Sequence, residues 1–563
     1  MRRSVPVALA VLALGCDVDH SQLATSNLTY ELASTGSRVT DYSRIVAPAV
    51  TPEGPGTTYW SQDSVRETAA LVNFIEGLKH ATDAYFAPLI EHCEKKVAET
   101  EITCDAKQAE SLGLTCEEYI KQQQEYNRRV CLGNDDKAPD VATGVAEMKV
   151  VVSFLEKEQL VLARGVLDKE IKLARQIQAN MQKSGDAPPW RDWGMGSGTS
   201  RASGAPAPSA AMDASAGANT GGGNLGATPG GAQDIGYLRT TVESGYVPLS
   251  FHLAAEGLFS EHNLPIESSI PCNRLLCVRA ATGLAPVIFS GKQNYFVQIG
   301  FSTNLEAASF QRAPVNLVVV LDKSGSMNGP ASDTLTKMQA VKMALTKMVD
   351  RLGAGDRLAI IAFNSSHEVL LSSALVTDRQ AVKKVIASIE AGGGTNIEGA
   401  LKKGFEIAAE QSSSKRLDRV MLLTDALPNV GRTGDDSFLS LAESYGKRNV
   451  GLTTFGVGVN FGQELVVAIS RIRGGNYFFL EDADRIKEVF ELDFDYLVTP
   501  LAYDMRLELT PGSWVKTVGV HGIPNWKEGE NVVRMNVETL FLSRNHGAIM
   551  IQLEPVGAPP IVE

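Results

Sequence analysis

Two hydrophobic rhythms alternate through the second half of the chain. Leu317 to Leu321, Arg357 to Phe363, Val420 to Leu423, Leu452 to Val459 and Asn476 to Leu480 are short apolar runs rich in β-branched or aromatic residues. That is the composition of strands buried on both faces. Val369 to Leu371 adds another after a turn at Asn364, Ser365 and Ser366. Between the runs, Leu335, Met338, Val341, Leu345, Met348 and Leu352 recur every three or four residues, the stripe of a helix packed on a sheet, and Ile397 to Gln411 forms a second helical stretch. Strand then helix, repeated, predicts an α/β fold over 314–498: a doubly wound, mostly parallel sheet with helices on both faces.

The flanks carry other patterns. Pro286 to Phe289 and Asn294 to Gly300 before this unit read as paired strands, and 503–509, 514–520, 532–537 and 548–553 after it alternate apolar and polar residues. The alternation predicts half-exposed strands. The economical arrangement is a β-sandwich-like region built from 236–313 and 499–563, with the α/β unit inserted in one of its loops. Over 62–183, Leu71, Phe74, Ile75 and Leu78 make one helical stripe, and Met148, Val152, Leu155, Leu162 and Val166 another, which predicts a small helical bundle. Residues 184–235 are rich in Gly, Ala, Ser and Pro and predict a disordered linker, with Trp190 and Trp193 as unusual members. Residues 17–61 read as a tether.

The chemistry sits at strand ends. The run 317–321 leads directly into Asp322, Ser324 and Ser326. In open α/β sheets, ligands bind beyond the carboxyl ends of the strands. A carboxylate and two hydroxyls offer only hard oxygens, which suit Mg²⁺ better than zinc or copper. Gly392, Gly393 and Gly394 then carry Thr395 just ahead of a helix, and the run from Val420 ends in Thr424 and Asp425. Three oxygen-bearing loops on one sheet edge point to a composite site.

In these motifs and their order the chain resembles the von Willebrand factor type A domain family, over roughly 314–498. The resemblance implies a metal-ion-dependent adhesion site. In it Ser324, Ser326 and Thr395 donate hydroxyl oxygens to the ion, and Asp322 and Asp425 act mostly through water and hydrogen bonds. The implied cofactor is a divalent cation, Mg²⁺ first, with Mn²⁺ or Ca²⁺ as alternatives. The implied partner is a protein that supplies an acidic group as the remaining ligand. One departure is Ala426, where the family usually has Gly. The flanking organisation is similar to bacterial envelope proteins of this type and to inter-alpha-trypsin-inhibitor heavy chains.

The amino terminus adds a location. Arg2 and Arg3 precede an apolar run from Val5 to Leu14 that ends at Gly15 and Cys16. A short basic region and an apolar run too short to span a bilayer describe a secretory signal. The Cys after Gly15 resembles the lipobox of bacterial lipoproteins, which implies lipidation of Cys16 and a membrane anchor outside the cytoplasm, in a bacterial cell envelope. Six further cysteines, Cys93, Cys104, Cys116, Cys131, Cys272 and Cys277, form an even set that suits disulfides in an exported chain. Cys272 and Cys277 are a natural local pair, and a zinc site lacks any Cys-x-x-Cys unit.

A net charge of −12 over 563 residues, without a basic cluster, opposes nucleic-acid binding. No phosphate loop, His-Glu-x-x-His or Gly-x-Ser-x-Gly elbow occurs. The sequence therefore predicts a non-enzymatic binding protein. The alternatives are a metal-dependent hydrolase and a docking subunit of a channel or other envelope complex.

Overall fold

A computed structural model of the protein describes Val11–Leu12, parts of 63–183, and 224–557 apart from short stretches that include 332–334, 426–434 and 459–471. The expectations for Cys16 and the leader apart from Val11–Leu12, the tether, the Cys93 and Val166 side chains, Cys131, Val152, Leu155, Leu162, Trp190, Trp193 and Ala426 lie outside the described residues. In chain order the strands are β1 (Val11–Leu12), β2 (Asn224–Pro229), β3 (Gly231–Ala232), β4 (Cys277–Pro286), β5 (Gln293–Glu306), β6 (Val315–Asp322), β7 (Arg357–Phe363), β8 (His367–Leu375), β9 (Leu417–Thr424), β10 (Val450–Val457), β11 (Gly475–Leu480), β12 (Pro500–Leu509), β13 (Val515–His521), β14 (Trp526–Glu528), β15 (Val533–Ser543) and β16 (Ala548–Pro555). The helices used below are α1 (Asp63–Glu99), α2 (Arg164–Lys183), α3 (Gly236–Glu243), α4 (Ala255–Glu261), α5 (Lys337–Arg351), α6 (Arg379–Ala387) and α7 (Ile397–Glu410).

The α/β unit is a seven-stranded sheet in the order β3-β11-β10-β9-β6-β7-β8, parallel throughout except for the antiparallel edge strand β8. The continuous apolar runs are explained by burial on two faces. Leu317, Val319 and Leu321 of β6 pack with Val341, Leu345 and Met348 of α5. Val318 and Val320 point the other way, into a core with Leu401 and Phe405 of α7. From β6 the chain winds outward through β7 to β8, then returns to β9 on the opposite side of β6 and winds away through β10 and β11. The order reverses between β6 and β9, and the crevice beyond that point is where open α/β sheets bind ligands.

Among the described residues, the flanks join β1 and β2 in one nine-stranded antiparallel sheet, β1-β12-β15-β2-β5-β16-β13, with β4 on β5 and β14 on β15. Tyr295 to Gly300 pair with Leu553 to Ala548, so strands from before and after the α/β unit share hydrogen bonds. Val297, Leu507, Val515, Met535 and Ile551 meet in one core, so this single sheet curls over itself where the sequence suggested a sandwich.

Three expectations need correction. Residues 224–232 fall within the stretch whose composition predicts a disordered linker, yet β2 is a buried strand between β15 and β5, and β3 completes the edge of the α/β sheet. The glycines in and just after β2 reflect crowding: a Cβ on Gly226 would lie 2.6 Å from the Cα of His546, and one on Gly230 2.8 Å from the Phe541 ring. The strand expected at Pro286 to Phe289 lies earlier, as β4, of which Pro286 is the last residue; Ile288 and Phe289 lie outside the described residues. In β4, Ala280, Ala281 and Gly283 mask the apolar pattern because α1 lies against it, with a Gly283 Cβ falling 2.7 Å from Val65. Finally, the first helical stripe packs with Met148, Ile171 and Ile177, as a bundle requires, but also against the sheet. Leu71, Phe74, Ile75 and Leu78 share a core with Phe296, Ala548 and Met550, so α1 covers one face of the curled sheet. Disulfides link Cys104 to Cys116 and Cys272 to Cys277. Among the described residues, no helix is long and apolar enough to cross a membrane.

Candidate metal centre

Parallel pairing places the end of β6 beside the ends of β7 and β9, with Leu321 opposite Leu423 and Asp322 opposite Phe363. The Asp322 side chain is buried at the floor of the crevice. One of its oxygens, Oδ1, accepts from the Ser324 amide at 2.8 Å; the other accepts from the Thr424 hydroxyl at 2.6 Å. Burial pushes the Asp322 carboxyl above its usual range; the hydrogen bonds from Thr424 and Ser324 pull it down, and the charge of Asp425 adds to the rise.

A chain of oxygens continues from the floor to the surface. The hydroxyls of Ser324 and Ser326 lie 3.0 Å apart, and Ser326 donates to Oδ1 of Asp425 at 2.9 Å. Ser324 and Asp425 are buried, whereas Ser326 is exposed. Thr395 is exposed as well and takes no part in this network, although its loop is tied to the turn. The Gly325 amide donates to the Gly393 carbonyl at 2.9 Å, and the Gly392 amide to the Lys323 carbonyl at 2.7 Å. Gly393 holds a left-handed φ of +88°, and a Cβ there would meet the Asn364 amide at 2.9 Å, so glycine is required on both counts.

The structure thus brings Asp322, Ser324, Ser326 and Asp425 into one hydrogen-bonded set and places Thr395 on the adjoining rim. Oxygens coordinated side by side at 2.0–2.1 Å on an octahedral ion lie about 2.9 Å apart. The Ser324–Ser326 and Ser326–Asp425 separations match that edge. The donors are all oxygen, and among the described residues no three His, Cys, Asp or Glu side chains converge on a common point. This donor set fits a hard divalent cation and not zinc.

Sequence reasoning passed over several residues that build the site. The turn at Asn364 and Ser365 is a brace: Asn364 donates from its amide to the Gly392 carbonyl at 2.9 Å and accepts at its own carbonyl from Asn396 at 2.7 Å, while Ser365 accepts from the Gly394 amide at 2.9 Å. Lys337, at the start of α5, sends its ammonium to Oδ2 of Asp425 at 2.6 Å. Its signal was legible, because a cation in the first turn of a helix opposes the helix dipole and calls for a nearby anion.

Comparison with known proteins agrees with this geometry. Residues 317–427 match the family model of the von Willebrand factor type A domain. The uncharacterized protein sll0103 of Synechocystis sp. is 30% identical over 242 residues, 42% of this chain and 53% of that protein. Inter-alpha-trypsin inhibitor heavy chain H4 of Homo sapiens is 32% identical over 152 residues, 26% of this chain and 15% of that one. Among solved structures, a von Willebrand factor type A protein from Catenulispora acidiphila aligns at 18% identity with a TM-score of 0.34, covering 48% of this chain and 62% of that one. The chain spans about half the length of the first curated relatives it matches. Strand order, motif order and family match converge on one statement: this chain carries a von Willebrand factor type A domain.

Proposed function

We propose that the protein is a binding module of a bacterial cell envelope, anchored through a lipid on Cys16, whose von Willebrand domain uses a divalent cation to engage an acidic group on a protein partner. The observation that carries this reading is the oxygen set at the switch point, buried at Asp322 and open at Ser326. Ser324, Ser326 and Thr395 would hold the ion, Mg²⁺ or Mn²⁺. When bound, the ion supplies a concentrated positive charge left underneutralised by neutral hydroxyl ligands. The chain's own residues do the rest. Asp322 orients the turn through the Ser324 amide, Thr424 fixes Asp322, and the glycine loop sets Thr395 at the mouth.

The fold itself supports docking, since von Willebrand domains commonly mediate protein–protein interaction. No hydrolytic step is assigned. The test is calorimetric: Mg²⁺ or Mn²⁺ titrated into the intact protein gives a saturable heat that Asp322→Ala abolishes. A silent parent protein removes the metal from the mechanism. Capture of partners from envelope extracts should then be lost in EDTA and in Asp322→Ala alike. Capture of envelope proteins indicates assembly, and capture of material from other cells indicates adhesion.

A further inference from the structure

The Lys337 side chain is 7% exposed and that of Asp425 1%, so their contact at 2.6 Å is a buried ion pair. Placing an ammonium here costs desolvation and opposes the dipole of α5, whose first residue is Lys337. The helix does not need it for capping, because Thr336 and Gln339 form a complete capping box. The surroundings are nonetheless cut to the lysine stem. Gly458, just past β10 with φ of +86°, leaves the space that its own Cβ would take 2.5 Å from the Lys337 Cε. Lys337 also donates its backbone amide to the Gly329 carbonyl, which closes the Ser326 turn. Lys323, the other lysine of this region, turns outward to pair with Glu368. One lysine has therefore been built into the floor of the oxygen set, against the carboxylate that also receives Ser326.

We propose that Lys337 is a resident cation of the metal site: it holds Asp425 in place when no divalent ion is bound, and it weakens divalent-ion binding by opposing the ion's charge. The second half rests on the metal reading above; the first does not. Asp322 and Asp425 bring two negative charges, and Lys337 cancels one before any ion arrives. A bound divalent ion therefore leaves the group with a net positive charge, and an anionic ligand is what restores balance. Affinity for the ion is surrendered and demand for an acidic partner is gained, through one residue.

The experiment uses the intact protein with Mn²⁺ alone as probe, titrated by calorimetry into the parent, Lys337→Gln, Lys337→Met and Asp322→Ala. Lys337→Gln keeps an N–H for Asp425 and removes the charge, so it serves if Lys337→Met does not fold. The neutral variants are expected to bind Mn²⁺ at least about tenfold tighter than the parent. Their metal-free melting temperature is expected to fall below the parent's, with the gap narrowing in saturating Mn²⁺. Parent binding with variants unchanged or weaker overturns the proposal and leaves the metal reading standing. A silent parent with binding variants overturns the metal reading for the native chain and supports Lys337 as the resident cation. Silence in all of them overturns both, and a melting gap that saturating Mn²⁺ leaves unchanged reduces Lys337 to a structural role and overturns the proposal.

Discussion

Arg312, three residues before β6, clasps two parts of the α/β unit. It donates through both terminal nitrogens to Asp356 (2.9 and 2.6 Å) and through Nε to Asp495 at 2.8 Å. The Arg312 side chain is 9% exposed and that of Asp356 3%, so this is a largely buried pair with bidentate geometry. Asp356 also accepts from the amides of Val315 and Gly353. Arg312→Ala leaves that carboxylate buried without its cation and is expected to cost about 3 kcal/mol in urea denaturation. At this scale the sequence was legible wherever a motif announced the chemistry, as at Asp322, Ser324, Ser326 and Asp425. It was silent where the role depends on a distant neighbour. Asn364 looks like any turn residue until the glycine loop, twenty-eight positions on at Gly392, is seen resting on it.

Between elements, the closest packing is marked by small residues and by polar groups that have lost water. Gly404 lets α7 settle onto β6, since a Cβ there would stand 2.6 Å from Val320. The same crowding filled β2 and β4 with Gly and Ala, and this is why a composition reading took β2 for linker. Low apolar content signals either a chain with nothing to bury or a backbone packed too tightly for side chains, and composition alone does not separate the two. Where α1 crosses the curled sheet, His521 of β13 lies 3.7 Å from Glu76. Burial, reinforced by the charge of Lys79, nonetheless holds its imidazole down to about 4 from the ordinary 6.5. The unfolded chain therefore takes up this proton first as pH falls. The contribution is complete above about pH 6.5 and is lost progressively down to about pH 4, amounting to about 3 kcal/mol. Urea midpoints measured from pH 7 to 4 should fall less steeply in His521→Leu than in the parent.

For the molecule as a whole, the alternation of strand and helix was readable because each apolar run is buried on two faces, whatever its partners. The association of the flanks was readable only as an economy argument, since nothing in the residues 294–300 names 548–553 as their partner. The leader was read from its own pattern, and the proposed anchor follows from it: the mature protein should partition with membranes and carry a mass increment, both lost in Cys16→Ser. A soluble parent without the increment would detach the binding reading from any membrane.

The short strand β3 bears on how such a unit can be moved between proteins. Asn476 and Tyr477 of β11 pair with Gly231 and Ala232, and the Gln233 amide reaches back to the Tyr477 carbonyl at 3.0 Å. The von Willebrand domain thus borrows its outermost strand from sequence that precedes it by a whole flank. Cut out as residues 314–498, it would carry an open edge along β11, ready to pair with another chain. It is less an interchangeable cassette than a graft, joined to its host by the ends of its own sequence and by this splice across the seam.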